Sequence, residues 1–124
     1  MANILWVASG GAIGAVLRYV TVMGVHRFAG TAFPLGTLVA NVAGSLVIGI
    51  LWAMAEKTPL TPAAASFLFI GLLGSFTTFA TFSIETLDLF RDGRMGLAAA
   101  NMLASNVLCL LAAYGGLRLG HTWA

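Results

Sequence analysis

The chain has 124 residues, of which 60% are hydrophobic and 8% charged, with a formal net charge of +2 at pH 7 and a mean hydropathy of +0.97. A soluble domain carries about a quarter charged residues, so this chain cannot clothe a water-facing surface and lipid is its expected solvent. Its six Lys and Arg residues are scattered and form no basic patch of the kind a phosphate backbone requires, which excludes nucleic acid as a partner.

In chain order the apolar runs predict four membrane spans: Ile4–Val25, Phe33–Ala55, Pro62–Leu87 and Met95–Leu119. Each is long enough, at about 1.5 Å per residue, to cross a hydrocarbon core of about 30 Å. The expected architecture is therefore an all-α membrane protein, a single domain over residues 1–124. Its polar connections are expected at His26–Gly30, Glu56–Thr61 and Arg91–Arg94, short enough to impose an up-down-up-down order. No Lys or Arg precedes Arg18, so the basic start of a secretory signal is missing and none is expected. Trp6, Trp52 and Trp123 lie near span ends as interface anchors.

The first span carries Gly10 and Gly14 as a GxxxG pair, and the second continues the small-residue pattern with Ala40–Gly44 and Ser45–Gly49, which points to closely packed helices. Arg18, near the end of the first span, either draws anions into a vestibule or snorkels to the interface. With four spans, one side of the membrane holds Lys57 and Arg118 and the other Arg27, Arg91 and Arg94, with Arg18 added if it reaches that side from the end of the first span. So small a bias leaves the positive-inside rule nearly undecided. Such a chain could insert in both orientations and form an inverted pair of copies, or keep one fixed orientation with a faint bias.

Polar residues inside the spans are the candidate functional groups. Thr37, Asn41 and Ser45 lie at i, i+4 and i+8 on one face of the second span; Asn101, Ser105 and Cys109 repeat that spacing in the fourth, with Asn106 beside them. The Ser and Thr residues alone are explained by interhelical hydrogen bonds. An Asn, with four hydrogen-bonding positions to satisfy, is harder to place in lipid, and two Asn-led stripes point to a wet or ion-lined path. Cys109, the one cysteine, is expected to pack as a small apolar residue. In the third span, Gly74-Ser-Phe-Thr77-Thr78 at mid-bilayer is a poor straight helix, because hydroxyls compete for the backbone. An interruption there frees carbonyls that must be buried in protein or bound to a cation. Phe79 and Phe82 are helical neighbours, and a ring edge is weakly positive, able to face an anion without a full charge. The first two spans contain no acid and the third has Glu85 only late, which argues against a proton-coupled cation pump.

At these residues the sequence resembles the Fluc (CrcB) family of fluoride channels. The stretches Gly10-Gly11-Ala-Ile-Gly14-Ala15-Val-Leu-Arg18-Tyr19, Gly36-Thr37-Leu-Val-Ala-Asn41-Val-Ala-Gly44-Ser45 and Gly71 through Phe82 carry the resemblance, which runs in register over nearly the whole chain. It implies a dual-topology, antiparallel homodimer of four-helix subunits with two separate pores, in the inner membrane of a bacterium, passing fluoride out of the cytoplasm passively. By the same resemblance Asn41 donates to the ion, and Phe79 and Phe82 turn their ring edges to it. Thr81, Ser105 and Glu85 belong to the adjoining polar track. A structural sodium ion, the one implied cofactor, is held at the dimer centre by backbone carbonyls at Gly74 and Thr77. Ala80 stands where the family commonly has Ser, and Met102 where it often has Tyr. The rival readings are a small multidrug-resistance-like exporter, which needs an acid in the first span, and a non-transporting scaffold subunit. An enzyme is not expected: no His/Cys/Asp cluster or Ser–His pair lies at membrane depth, and His26 and His121 are expected in a loop and the tail.

Overall fold

A computed structural model describes residues 2–30 and 32–123. All its regular elements are helical: α1 (Ala2–Ala29), α2 (Leu35–Lys57), α3 (Pro62–Ala65), a π-helical segment (Ser66–Leu73), α4 (Gly74–Phe76), α5 (Phe79–Arg91) and α6 (Met95–Trp123). Four stretches are long and apolar enough to cross a membrane: Asn3–Ala29, Leu35–Lys57, Pro62–Arg91 and Met95–Trp123.

Helical structure extends beyond the apolar runs, because polar residues keep the backbone ladder going until a breaker arrives. His26–Ala29, expected as a connection, is the last turn of α1. It ends at Gly30, whose φ of +79° suits only glycine and whose N–H donates to His26 O at 2.9 Å. The expected loop residues Glu56 and Lys57 close α2, Arg91 closes α5, and His121 lies within α6 rather than in a tail. Gly93 (φ +78°) turns the chain after α5, with Arg94 N–H reaching back to Leu89 O at 2.8 Å. Thr61 caps α3 by accepting from Ala64 N–H at 3.1 Å, ahead of Pro62 at the first helical position.

Glycine sets the packing. A Cβ on Gly14 would overlap the Leu72 carbonyl, and one on Gly71 would sit 2.6 Å from Val7 O, so α1 lies directly on the π-helical backbone. On the other side α2 and α6 meet as closely: Gly49 abuts Ala113, and Gly116 and Gly120 abut the backbone of Leu46 and Ile50. Backbones in contact maximise van der Waals attraction where lipid offers no hydrophobic drive. Many of the buried residues are accordingly small or polar, among them Ala40, Ala53, Thr37, Thr86 and Asn101, with Leu38, Leu73, Phe82 and Leu89 the large apolar ones, while Leu5, Ile13, Leu103 and Leu110 face outward. Trp6 and Trp52 stand edge-on to Phe67 and Phe69, at 6.2 and 5.7 Å between ring centroids.

Candidate functional site

Helical backbone gives way at Thr77 (φ −89°, ψ 154°) and Thr78 (φ −150°, ψ 120°). The groups released here have identifiable partners. Asn41 Nδ2 donates to Thr78 O at 3.0 Å, and Asn41 Oδ1 accepts from Thr78 N–H at 2.8 Å. The side-chain amide thus stands in for a neighbouring peptide. One of its two Nδ2 hydrogens remains for other use. Thr78 Oγ1 caps α5, accepting from Thr81 N–H at 3.2 Å, and the Thr78 and Thr81 hydroxyls are joined at 3.2 Å. In a continuous helix these two amides would close on the carbonyls of Gly74 and Thr77, four residues back. Both amides are committed elsewhere. Neutral, hard carbonyl oxygens released in this way have the donor chemistry that suits an alkali cation, so Gly74 and Thr77 fit the sodium set that the resemblance implies.

Asn41 opens into a crevice of about 420 Å³ between α2, the third span and α6, which Ser45, Phe79, Phe82, Ser105, Asn106 and Cys109 also line. The Phe79 and Phe82 ring centroids are 5.2 Å apart with planes inclined at 47°. Phe82 is buried at 8% exposure and Phe79 stands out at 74%. Among the described residues lining the crevice none is charged. The N-terminus of α5 opens at Thr78 and Phe79, so the crevice also receives the positive end of a helix dipole.

The other expected site residues are distributed around this crevice. Ser105 lines it and donates at 3.4 Å to Asn101 Oδ1, while Asn101 Nδ2 donates to Thr86 Oγ1 at 2.8 Å. Asn101, 1% exposed, is therefore a clamp between α6 and α5. The Asn of α6 that reaches the crevice is Asn106, whose Nδ2 also bonds Met102 O in its own helix at 2.7 Å. The stripe Thr37–Asn41–Ser45 spans two environments. Its last two members line the crevice, whereas Thr37 Oγ1 donates to Glu85 Oε2 at 3.1 Å. Glu85 lies outside the crevice and lines a separate cavity with His26. Thr81 is tied to the crevice wall through Thr78, and Arg18, half-buried on α1, does not line the crevice. Asn106 and His26 are functional candidates that sequence reasoning did not single out. Asn106 was marked only by standing one position from a stripe.

Comparison with known proteins matches residues 5–117 to the family described as CrcB-like protein, Camphor Resistance (CrcB). A protein of Magnetococcus marinus named fluoride-specific ion channel FluC is 50% identical over 120 residues, covering 96% of this chain and 98% of that one. Proteins of the same name from Shewanella amazonensis and Shewanella halifaxensis are 47% and 40% identical, each with 96% of both chains covered.

Proposed function

The chain belongs to the CrcB family, and from that premise we propose that it conducts fluoride passively across the membrane through the crevice between α2, α5 and α6. The observation that carries this reading is the crevice's lining: hydrogen-bonding side chains, the rings of Phe79 and Phe82 and a helix N-terminus meet there with no charged residue among the described lining. A small anion costs on the order of tens of kcal/mol to desolvate in an apolar medium. In this reading the free Nδ2 hydrogen of Asn41, the Ser105 hydroxyl when it turns from Asn101 Oδ1, and the edges of Phe79 and Phe82 offset that cost by several weak contacts. A buried Arg would bind more tightly and release more slowly, and conduction needs release. Reconstituted protein is expected to release fluoride from loaded liposomes at least about a hundredfold faster than chloride, since the larger anion gains less from each close donor. A fluoride electrode and a chloride electrode read the two fluxes. Equal rates would refute selectivity, and no flux of either ion would favour a scaffold.

The working unit in this reading is an antiparallel homodimer in a bacterial inner membrane. Two features support it. The ring of Phe79, exposed on a single copy, completes the crevice wall if a second copy encloses it. The charge distribution also leaves insertion direction weakly specified. A sodium ion held between copies by the carbonyls of Gly74 and Thr77 would supply only a fixed positive charge that binds the assembled state and stabilises it. Ala29→Cys in a Cys109→Ser background, placed at the end of α1, is expected to react with an impermeant maleimide from both sides of the membrane. The dimer is expected to dissociate more readily when sodium is replaced by a large organic cation. Labelling from one side defeats the antiparallel arrangement, and indifference to sodium defeats the ion's role.

A further inference from the structure

His26 and Glu85 each present a buried side-chain atom with no hydrogen-bond partner, Nε2 and Oε1 respectively. Both residues line one cavity of about 190 Å³ at the end of the bundle. It is large enough for water or an anion of similar size. The imidazole is held against the start of α2, where a Cβ on Gly36 would approach Nε2 to 2.9 Å. Glu85 keeps its other oxygen on Thr37, the far member of the α2 stripe that leads from Asn41. Through the Thr37–Glu85 bond the cavity adjoins the end of the polar stripe, where an ion path that follows the stripe would open.

Its charge is the wrong sign for an anion. Asp88 and Asp92 line it beside Glu85, with Arg94 the cation on that wall, and Pro34, the residue ahead of α2, lines it without charge. Asp88 is shared with Arg91 at 3.8 Å in an exposed pair, and Arg27 follows His26 on the outer face of α1. A fluoride leaving Asn41 toward Thr37 would meet a half-buried carboxylate, one oxygen of which is buried and unpartnered. The group placed to offset it is His26.

We infer that His26 is a positioning residue for conduction: its protonated imidazole offsets Glu85 and supplies an N–H to the small anion at this mouth, so that fluoride conductance rises as the solution becomes more acid. The inference rests on the fluoride reading above. Its physical sense is that acid increases the share of fluoride present as neutral hydrogen fluoride, which crosses lipid and loads the cell. Histidine is the side chain whose charge changes in that range. Between the two states of the imidazole the mouth differs by one full charge, and rising pH removes the attractive one.

The test is fluoride current across a planar bilayer with equal pH on both sides, which neutral hydrogen fluoride does not contribute to. The intact protein is expected to carry about fivefold more current at about pH 6 than at about pH 8. His26→Gln is expected to stay at the alkaline level throughout, and His26→Lys, with a charge that does not titrate in this range, at the acid level. A His26→Gln channel that keeps the full pH ratio overturns the inference. So does an intact protein that conducts fluoride equally at both values. An intact protein carrying no fluoride current at either pH overturns the fluoride reading itself, and this inference with it.

Discussion

Asn41→Asp is expected to reduce fluoride flux by about a hundredfold or more in protein that still assembles. Two effects act together. The Asp carboxylate can still accept from Thr78 N–H, as Asn41 Oδ1 does at 2.8 Å. Its second oxygen, however, replaces an Nδ2 that donates to Thr78 O at 3.0 Å, and two acceptors then face each other. It also places a negative charge in a crevice whose described lining has none, and that charge repels the permeant ion along its whole approach. Side-chain volume is almost unchanged, so loss of packing does not explain loss of flux. The measurement is fluoride release from liposomes, with size-exclusion elution confirming assembly. Near-normal flux would assign Asn41 to bracing the backbone at Thr78 and move the pore elsewhere.

The largest expected loss of stability follows from Gly14→Leu. The new Cβ would overlap the Leu72 carbonyl and lie 3.1 Å from Leu72 Cα. These are backbone atoms that cannot rotate away as a side-chain end can. Relief requires α1 to separate from the π-helical segment, losing the contacts at Gly10 and Gly71 as well. A penalty of about 3 kcal/mol or more is expected, enough to abolish a monodisperse peak in detergent. Gly24→Ala is the matched control: nothing lies within 4 Å of its Cβ position, and it should elute and melt as the parent does. A Gly14→Leu protein with the parent's elution and melting would show that the α1 contact at Leu72 contributes little.

The four spans were legible because membrane crossing is decided by summed hydropathy over a long window, and nothing in the chain competes with that signal. Their ends were not, since hydropathy falls at His26, Glu56 and Asp88 while hydrogen bonding does not. After α1 and α5 termination belongs to Gly30 and Gly93, which take φ values other residues avoid. The third span could be read for trouble at Gly74–Thr78 from its hydroxyls and glycine. That Asn41 would bind both sides of one peptide there could not be read. It depends on how α2 is rotated, which its glycine contacts with α6 fix. The same rotation separates Asn101 from Asn106. Both stand near one stripe in sequence, yet one is sealed against Thr86 and the other borders the crevice. His26 was hidden for a further reason, because its significance comes entirely from a carboxylate in a distant part of the chain.

The uncharged lining of the crevice has an electrical consequence. A crevice with no charged residue among its described lining holds no fixed counter-charge to travel with the ion, so each fluoride crosses carrying its whole charge. Movement is then electrogenic, and the voltage across the membrane is the only motor required. One elementary charge moved through 100 mV corresponds to about 2.3 kcal/mol. That is a concentration ratio of about fifty at balance. A cell negative inside by that amount would hold its internal fluoride about fiftyfold below the outside with no nucleotide consumed and no second ion carried along. The protein's task reduces to keeping every other anion from short-circuiting the same battery.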